Sequence, residues 1–375
     1  MARRLDARLA GRRRLKIAVV LGPGAIFCVE KPNSIETVVR TLARYSADRD
    51  DLTIYCDAGA PDRGELKTQA VAPGLGRTGR IIRALRRDRP DFIELHQHGP
   101  SSARIARAFP DIPNSLYRHN QASGGTNALD RLRYARRFRA FDAHVFVSDY
   151  LRAAFASSFP RMADRGFTIH NPIDADLWSA PVDGRGPVIA FTGRAAPEKG
   201  FDLICEALET VLDRHPDWRA DLLVIDWHAH AEWAQKHADR LSRFGARASI
   251  RKQQPWAVVR DTLQAASIAL TPSVFADPFP LAALEAHAAG AAVVSSGRGG
   301  LREGSGPHAT YVEPLDAASL AREIEGLIVD PESRLAMAQS GQAHVQTEHT
   351  PQRRAAQLDA LRHRLIQAKK ARAPV

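Results

Sequence analysis

The chain has 375 residues, 44% of them hydrophobic and 25% charged, which excludes disorder along its whole length and predicts about two globular domains of roughly 150 residues each. Lysine and arginine outnumber aspartate and glutamate by 53 to 42, so the formal net charge is +11. This bias favours ligands that carry phosphate, nucleic acid or an anionic membrane surface. The three cysteines lie far apart in sequence, which argues against a disulfide framework and a thiolate metal site and favours a reducing cytoplasm.

No stretch has the ~18 consecutive apolar residues of a membrane span, and the apolar run after the basic N-terminus is too short for a secretion signal. Short apolar segments rich in β-branched residues instead alternate with segments of helical periodicity. In the first half, strands are predicted at 17–21, 52–55, 92–95 and 144–147, and helices at 36–45 and 79–87. In the second half, strands are predicted at 188–191, 222–225, 248–250, 268–270, 292–294 and 310–312.

This alternation predicts two α/β domains with doubly wound parallel sheets, facing each other across a cleft. We expect an N-terminal domain at 1–180 and a C-terminal domain at 181–345, with a hinge in the stretch 180–187, which is rich in glycine and proline. The segment 346–375 is expected to form a helix that packs back toward the N-terminal domain. Ligands in such sheets bind beyond the carboxyl ends of the strands.

The first stretch that suggests chemistry is "VIAFTGRAAPEKGFDLICEAL", residues 188–208. A buried strand is predicted to end at Gly193 and Arg194, and a helix to begin near Phe201 after a loop that carries Lys199. Two cations beside a helix N-terminus are suited to a diphosphate, because arginine can bind two phosphate oxygens and lysine adds a mobile charge. Taken alone, the two cations are more often solvated loop charges.

The second stretch is "LTPSVFADPFPLAALEAHAAGAAVVSS", residues 270–296. Asp277 is predicted on a loop, and Glu285 on the first turn of a helix that begins near Leu281 and ends at Gly290. Carboxylates at these positions can accept hydrogen bonds from sugar hydroxyls, while the helix N-terminus offers N–H groups to phosphate. The alternative is that both acids only complement the helix dipole.

These stretches, followed by "GGLREGSG" and "TYVEPLDAASLAREIEGLI", resemble the retaining glycosyltransferases of family 4, which have the GT-B fold of two Rossmann-like domains. The resemblance implies a donor site for a UDP- or GDP-sugar, with Glu285 on the ribose and Asp277 on the transferred sugar. It also implies a "GGLRE" turn that closes over the nucleotide. The residues implied to contact the donor are Gly193, Arg194, Lys199, Phe279, Leu281 and Glu285. The implied catalytic residues are His119, Arg194, Lys199 and Asp277.

The sequence departs from the family pattern at several positions. Asp277 replaces the usual glutamate, and Pro280 replaces a glycine and so lacks an N–H. Residues 34–36, Ser-Ile-Glu, stand where the family often has a glycine pair before Ile-Glu, and "DWHAH" at 226–230 replaces another glycine pair. These changes put the shape of two loops around the donor in doubt.

Histidines follow two predicted strands of the first half. "NSLYRHNQ" places His119 at a strand end, where the family has an active-site histidine near the terminal hydroxyl of the transferred sugar. "ELHQHGPS" places His96 and His98 at another strand end, with His98 a candidate for contact with the acceptor. Neither this pair nor His228 and His230 has a carboxylate or cysteine at ligand spacing, so no metal or other cofactor is expected.

The resulting hypothesis is a cytoplasmic transferase that moves a hexose from a nucleoside diphosphate sugar to a glycan or a lipid-linked acceptor in bacterial cell-surface polysaccharide synthesis, such as that of lipopolysaccharide. The basic ends favour peripheral contact with an anionic membrane on its inner face over nucleic-acid binding, because no recognition helix accompanies them. A nucleotide-sugar epimerase or synthase on the same fold, and a non-catalytic nucleotide-sugar-binding protein, are the alternatives. Trp227, Trp233 and Trp256 are interpreted as packing residues rather than sugar platforms.

Overall fold

The computed structural model describes residues 15–30, 32–121 and 127–372, and inter-residue contacts divide them into two compact units. The first unit consists of the described residues up to Val147, Leu151–Ile169, and the described residues from Pro351 onward. The second consists of Ser148–Tyr150 and His170–Thr350. The arginine-rich start at 1–14, for which membrane contact was predicted, lies outside the described residues.

The boundary between the units differs from the one expected at 180. Residues 170–180 belong to the second unit, because His170 stacks on Phe279 with ring centroids 4.8 Å apart and the Asn171 amide donates to the carbonyl of Phe279 at 2.9 Å. The stretch 181–187, where a hinge was expected, also lies inside the second unit. There the Arg185 guanidinium donates to the carbonyl of Ala266 at 2.7 Å.

The first unit is built on a seven-stranded sheet in which every pairing is parallel and the strand order is β3-β2-β1-β4-β5-β6-β7. The strand order reverses between β1 and β4, so the loops after these two strands face a crevice where such sheets bind ligands. The strands are β1 (Ile17–Val20), β2 (Leu52–Asp57), β3 (Thr68–Val71), β4 (Phe92–His96), β5 (Asn114–Arg118), β6 (Ala143–Phe146) and β7 (Gly166–Thr168). The helices between them are α1 (Ser34–Tyr45), α2 (Arg77–Asp88), α3 (Gly99–Ala108), α4 (Ala128–Phe138) and α5 (Asp149–Ser158), of which α5 has its first two residues in the second unit.

The second unit is built on a six-stranded parallel sheet of order β10-β9-β8-β11-β12-β13. Its strand order reverses between β8 and β11. The strands are β8 (Val188–Arg194), β9 (Arg219–Ile225), β10 (Ala248–Lys252), β11 (Ile268–Thr271), β12 (Ala292–Ser295) and β13 (Ala309–Tyr311). The helices are α6 (Ala175–Trp178), α7 (Phe201–Arg214), α8 (Ala231–Ala238), α9 (Trp256–Ala265), α10 (Leu281–Ala289), α11 (Leu301–Ser305), α12 (Ala317–Val329) and α13 (Pro331–Glu348).

The last helix, α14 (Pro351–Arg372), belongs to the first unit. Its Ile366 joins the core formed by Val19, Ile54 and Phe92, and its Arg362 is only 1% exposed. A charge buried so deeply must be paired, which makes this helix part of the first unit's interior rather than a loose tail. Among the described residues, no helix has both the length and the apolar content needed to cross a membrane.

The strands predicted from apolar runs are confirmed to within a few residues, and the parallel doubly wound arrangement is confirmed in both units. Two strands escaped prediction, β3 and β7, because each has at most four residues and three half-buried positions, and so shows no strong apolar run. Glu285 lies on the second turn of α10, not on its first as predicted, because the helix begins at Leu281.

Candidate functional site

Two loops of the second unit meet at the point where its strand order reverses. The loop after β8 and the loop after β11 are joined by hydrogen bonds from the backbone N–H groups of Val274 and Phe275 to the carbonyl of Glu198, at 3.0 and 3.4 Å. Gly200, with φ of +69°, allows the first loop to pass against the second, since a Cβ there would stand 2.5 Å from the carbonyl oxygen of Pro272. The fold therefore brings together two motifs that lie about 80 residues apart in sequence.

Lys199 and Asp277 form an ion pair across these loops. The Ser273 hydroxyl lies 3.4 Å from the same carboxylate oxygen, and the Lys199 ammonium lies 4.9 Å from the centre of the Phe275 ring. Asp277 is buried, while about a fifth of the Lys199 side chain is exposed. The cation is thus held in place by a buried acid yet can still reach an anion from solvent.

Arg194, the last residue of β8, pairs with Glu198 at 2.8 Å. Its side chain is 39% exposed, so the pair is weak and readily exchanged for another anion. The sequence predicted a diphosphate held by two cations. In the structure each of these cations has a carboxylate partner.

Helix α10 carries the remaining predicted donor contacts. Its N-cap is Pro280, and no described side chain caps it, so the N–H groups of its first turn, including that of Leu281, are free to meet an anion. Phe279 is buried against His170. Since the Phe279 carbonyl accepts the Asn171 amide, this residue positions the loop through its ring and backbone rather than offering a polar side chain.

Glu285 differs from the other acids of the site. Its side chain is half-buried and forms no hydrogen bond or ion pair with any residue that the structure describes. Burial raises the pKa of its carboxyl from 4.5 to about 7. A desolvated acceptor without a partner is typical of a group that receives its hydrogen bonds from a ligand.

The "GGLRE" turn supports the Asp277 loop. The N–H of Gly300 donates to the carbonyl of Asp277 at 2.7 Å, and a Cβ on Gly300 would stand 2.1 Å from the Pro278 carbonyl oxygen. Glu303, further along the turn, accepts the backbone N–H groups of Asp149 and Tyr150, both at 2.6 Å. The turn therefore supports the Asp277 loop through a backbone hydrogen bond. Its closure over a nucleotide stays a prediction.

In the first unit, a cleft of about 480 Å³ opens between the loops that follow β1 and β4, lined by Gly22, Asn33, Ile35, Gln97 and His98 among others. His98 is the N-cap of α3, and its ring lies 2.8 Å from the Ser101 hydroxyl. Burial, together with the nearby charges of Arg137 and Arg77, lowers the pKa of His98. The lowered pKa favours the neutral form of the His98 ring at the cleft.

His119 follows β5 and is 8% exposed. Its Nε2 lies 2.9 Å from Nδ1 of His96, whose Nε2 lies 2.9 Å from a carboxylate oxygen of Glu94. Burial, and then the neighbouring His96, hold the pKa of His119 well below its usual value. The backbone N–H of His119 donates to Oε1 of Gln97 at 3.0 Å, so His119 stands beside the cleft.

Two family models match the chain in sequence. One, described as "Glycosyltransferase Family 4", matches residues 35–177, and the other, described as "Glycosyl transferases group 1", matches residues 173–344. The chain belongs to glycosyltransferase family 4. Both units match structures of the GT-B fold, which confirms the fold class predicted from the motifs.

Relatives of this glycosyltransferase are about 30% identical to it over the segments that align. D-inositol 3-phosphate glycosyltransferase of Kribbella flavida is 31% identical over 42% of this chain and 39% of its own length. Phosphatidyl-myo-inositol mannosyltransferase of Mycobacterium tuberculosis is 30% identical over 64% of each chain, and a glycogen synthase of the same organism is 29% identical over 70% and 67%. The matched part thus spans less than two thirds of the first two relatives.

Solved structures agree over nearly the whole length. HepE of Anabaena, solved with UDP and glucose, has a TM-score of 0.76 at 16% identity, covering 92% of this chain and 99% of its own. The catalytic domain of starch synthase IV of Arabidopsis thaliana, solved with ADP and acarbose, has a TM-score of 0.74 at 14% identity, covering 95% of this chain and 100% of its own. At these identities the likeness concerns the fold alone.

Several residues of this family 4 glycosyltransferase were missed by sequence reasoning. Glu198 and Ser273, next to the predicted residues, partner Arg194 and Asp277. Glu94 and Arg362 form a buried pair at 3.0 Å, whose only sequence signal is a charged residue inside the apolar strand "FIELH". Such a position requires a partner, but the strand pattern does not say which one.

Two of the three tryptophans that were interpreted as packing residues contact other aromatic rings edge-on. Trp227 packs edge-on against Phe201, with ring centroids 6.1 Å apart, and Lys252 lies 3.7 Å over its ring. Trp256 packs edge-on against Trp178 at 5.1 Å. These ring contacts agree with the interpretation of both tryptophans as packing residues.

Proposed function

We propose that this glycosyltransferase moves a hexose from a nucleoside diphosphate sugar to a glycan or lipid-linked acceptor, with retention of anomeric configuration, in bacterial cell-surface polysaccharide synthesis. The observation that carries the proposal is the Lys199–Asp277 pair, held by the joined loops just before α10, with the unpartnered Glu285 on that helix. The nucleotides named with the structural neighbours, UDP and ADP, support a nucleotide donor.

The donor diphosphate is proposed to bind Lys199, Arg194 and the first-turn N–H groups of α10. Both cations retain exposed surface, and the Lys199 ammonium has three N–H donors, so it can bind a diphosphate while it keeps its pair with the buried Asp277. The other carboxylate oxygen of Asp277 can then accept a hydroxyl of the transferred sugar. The proposal requires no metal, because the charge of the leaving phosphate is neutralised by protein groups.

The ribose of the nucleotide is proposed to bind Glu285. A carboxylate can accept two hydroxyl groups at once, and the described residues give this side chain no hydrogen bond. Since the ionised form is the stronger acceptor and the carboxyl has a pKa of about 7, donor affinity should rise as pH increases through 7.

In the proposed chemistry, the acceptor oxygen forms a bond to the anomeric carbon on the face from which the phosphate leaves, as the bond to the phosphate oxygen breaks. The acceptor proton passes to an oxygen of that departing phosphate, so no protein nucleophile is needed. The protein contributes positioning and charge stabilisation through Lys199, Arg194 and α10. His119 is proposed to contact the terminal hydroxyl of the transferred sugar, and His98 to contact the acceptor.

Membrane contact on the cytoplasmic face is proposed for α4. Its Leu129 and Leu132 are 80% and 64% exposed, and exposed arginines flank them on the same helix. An exposed apolar pair within a cationic surface suits shallow insertion among anionic lipids. A lipid-linked acceptor would be presented at such a surface.

The donor site is tested by thermal unfolding with UDP-, GDP- and ADP-sugars, because a ligand that binds only the folded state raises the unfolding temperature. One nucleotide class should stabilise the wild type, and stabilise the Glu285→Gln variant much less. Glu232→Gln, at an exposed position of α8, is the matched control and should respond like the wild type. The absence of stabilisation by all three classes would overturn the proposal.

The membrane contact is tested by sedimentation with vesicles of phosphatidylglycerol and phosphatidylcholine. Leu129→Ser should reduce the bound fraction, whereas Leu75→Ser, at a fully exposed leucine in the loop before α2, should leave it unchanged. Equal loss in both variants would contradict a specific role for α4.

A further inference from the structure

A continuous chain of buried polar groups runs from α14 to His119 within the first unit. Arg362 contacts one oxygen of Glu94 through Nε at 3.1 Å and a terminal nitrogen at 3.0 Å. The other oxygen of Glu94 lies 2.9 Å from Nε2 of His96, and Nδ1 of His96 lies 2.9 Å from Nε2 of His119. These four residues are 1%, 2%, 1% and 8% exposed, so water cannot substitute for a missing partner.

The direction of each hydrogen bond follows from this order. Burial alone would raise the pKa of the Glu94 carboxyl, but Arg362 and His96 outweigh it and hold that pKa below its usual value. Glu94 is therefore a carboxylate, which can only accept, and Nε2 of His96 must carry the proton. When the His96 ring carries a single proton, that proton is on Nε2, and the unprotonated Nδ1 accepts from Nε2–H of His119.

The same logic leaves Nδ1 of His119 unprotonated. That atom makes no hydrogen bond with any residue that the structure describes. Tyr117 holds both rings in place by stacking on His96 at 5.0 Å and on His119 at 4.8 Å, while its own hydroxyl donates to the carbonyl of Ile169 at 3.1 Å. Ring rotation cannot exchange the two nitrogens of His119 without breaking this stack and the bond to His96.

We infer that Glu94 is a positioning residue which, acting through His96, holds His119 as a hydrogen-bond acceptor at Nδ1. Such an atom receives a sugar hydroxyl and disfavours a carboxylate or carbonyl oxygen at the same place. Arg362 on α14 completes this chain of hydrogen bonds, because it keeps the Glu94 carboxylate charged. This use of His119 rests on the proposed function, whereas the state of its ring does not.

The state of the ring is measured by nitrogen-15 NMR of the imidazoles, in which protonated and bare ring nitrogens resonate far apart. The wild type should show His119 protonated at Nε2 and bare at Nδ1. A wild-type spectrum with His119 protonated at Nδ1, or with His96 protonated at both nitrogens, would overturn the inference even if no variant folds.

Glu94→Gln provides the sharper test. Arg362 offers only donors, so the new amide must turn its oxygen to Arg362 and its NH₂ group to His96. Nε2 of His96 then becomes the acceptor, the proton moves to its Nδ1, and His119 becomes protonated at Nδ1. Asp359→Asn is the matched control, because Asp359 accepts from the same arginine at 2.8 Å but does not touch His96. Asp359→Asn should leave the tautomers of His96 and His119 unchanged. A Glu94→Gln spectrum identical to that of the wild type would refute the control of His119 by Glu94.

The preference between two donor sugars provides a measurement that a purely structural role of Glu94 would not change. The wild type and Asp359→Asn should prefer UDP-glucose over UDP-6-deoxyglucose in kcat/KM by about tenfold, the value of one buried hydrogen bond, and Glu94→Gln should lose this preference. A preference retained in Glu94→Gln contradicts the inference. If the wild type uses neither sugar, the proposed donor is wrong. The NMR spectra then test independently whether Glu94 sets the tautomer of His119.

Discussion

The carboxyl of Glu285, which has no partner among the described residues, allows a quantitative test of the proposed donor site without any substrate. Its pKa is about 7 in the folded chain, against an ordinary value of 4.5, and the cause is burial. The folded state therefore holds a proton that the unfolded state has lost between about pH 4.5 and 7. The free energy of unfolding must fall as pH rises through this window and level off above it.

The size of the effect follows from the two pKa values. Their difference, from 4.5 to about 7, corresponds to about 3 kcal/mol at 1.36 kcal/mol for each pKa unit. Glutamine resembles the protonated acid at every pH. Glu285→Gln should therefore be more stable relative to the wild type at pH 8 than at pH 5, by about 2.5 kcal/mol, because a small part of the total is already lost at pH 5. Any constant cost of burying the amide cancels in this comparison.

The assay is urea unfolding of both proteins at pH 5 and pH 8, with Glu232→Gln as the exposed control. The control should track the wild type at both values. If the stability difference between Glu285→Gln and the wild type changes by less than about 1 kcal/mol between the two pH values, the carboxyl is not desolvated as described. The variant should be stabilised yet bind nucleotide poorly, which is the trade-off expected at a ligand site.

Three further changes test the surrounding structure. Lys199→Ala should lower turnover at least tenfold through loss of a preorganised charge, and near-normal transfer would contradict its role at the diphosphate. Gly200→Ala should lower the unfolding free energy by roughly 2 kcal/mol more than Gly184→Ala, measured in urea, because both have φ of +69° but only the Cβ at 200 meets a backbone carbonyl. In α12, Gly326→Ala should stabilise the folded protein by about 0.5–1 kcal/mol, because a Cβ at this position has no atom within 4 Å. In α13, Gly341→Ala should destabilise the protein, because its Cβ would stand 2.4 Å from the buried ring of His287. Equal melting temperatures of the two variants would refute this contrast.

Sequence reasoning predicted the strands and helices of the second unit well because their signals are local. The apolar run at 188–191, the loop with Lys199 and the helix start near Leu281 all lie in continuous stretches whose periodicity and punctuation determine the elements. The family resemblance rests on those same stretches. It pointed to Asp277 and Glu285 without any knowledge of their surroundings.

The sequence could not predict which charged side chains pair with each other. Nothing in the pattern indicates that Lys199 pairs with Asp277, because the contact depends on the return of β11 beside β8. The contrast between a paired Asp277 and an unpaired Glu285 is likewise a matter of which groups the fold places around each acid, and it alone shifts the pKa of Glu285.

The sequence by itself determined the kinds of element, their order and the chemistry available at the strand ends, because these depend on neighbouring residues along the chain. Only the tertiary structure decided that Glu94, on β4, pairs with Arg362, on the last helix 268 residues later. This pair connects the last helix, through Glu94, to His96 and His119. Burial and long-range pairing are properties of the packed chain. They determine which charged groups are neutralised, and which remain free for a ligand.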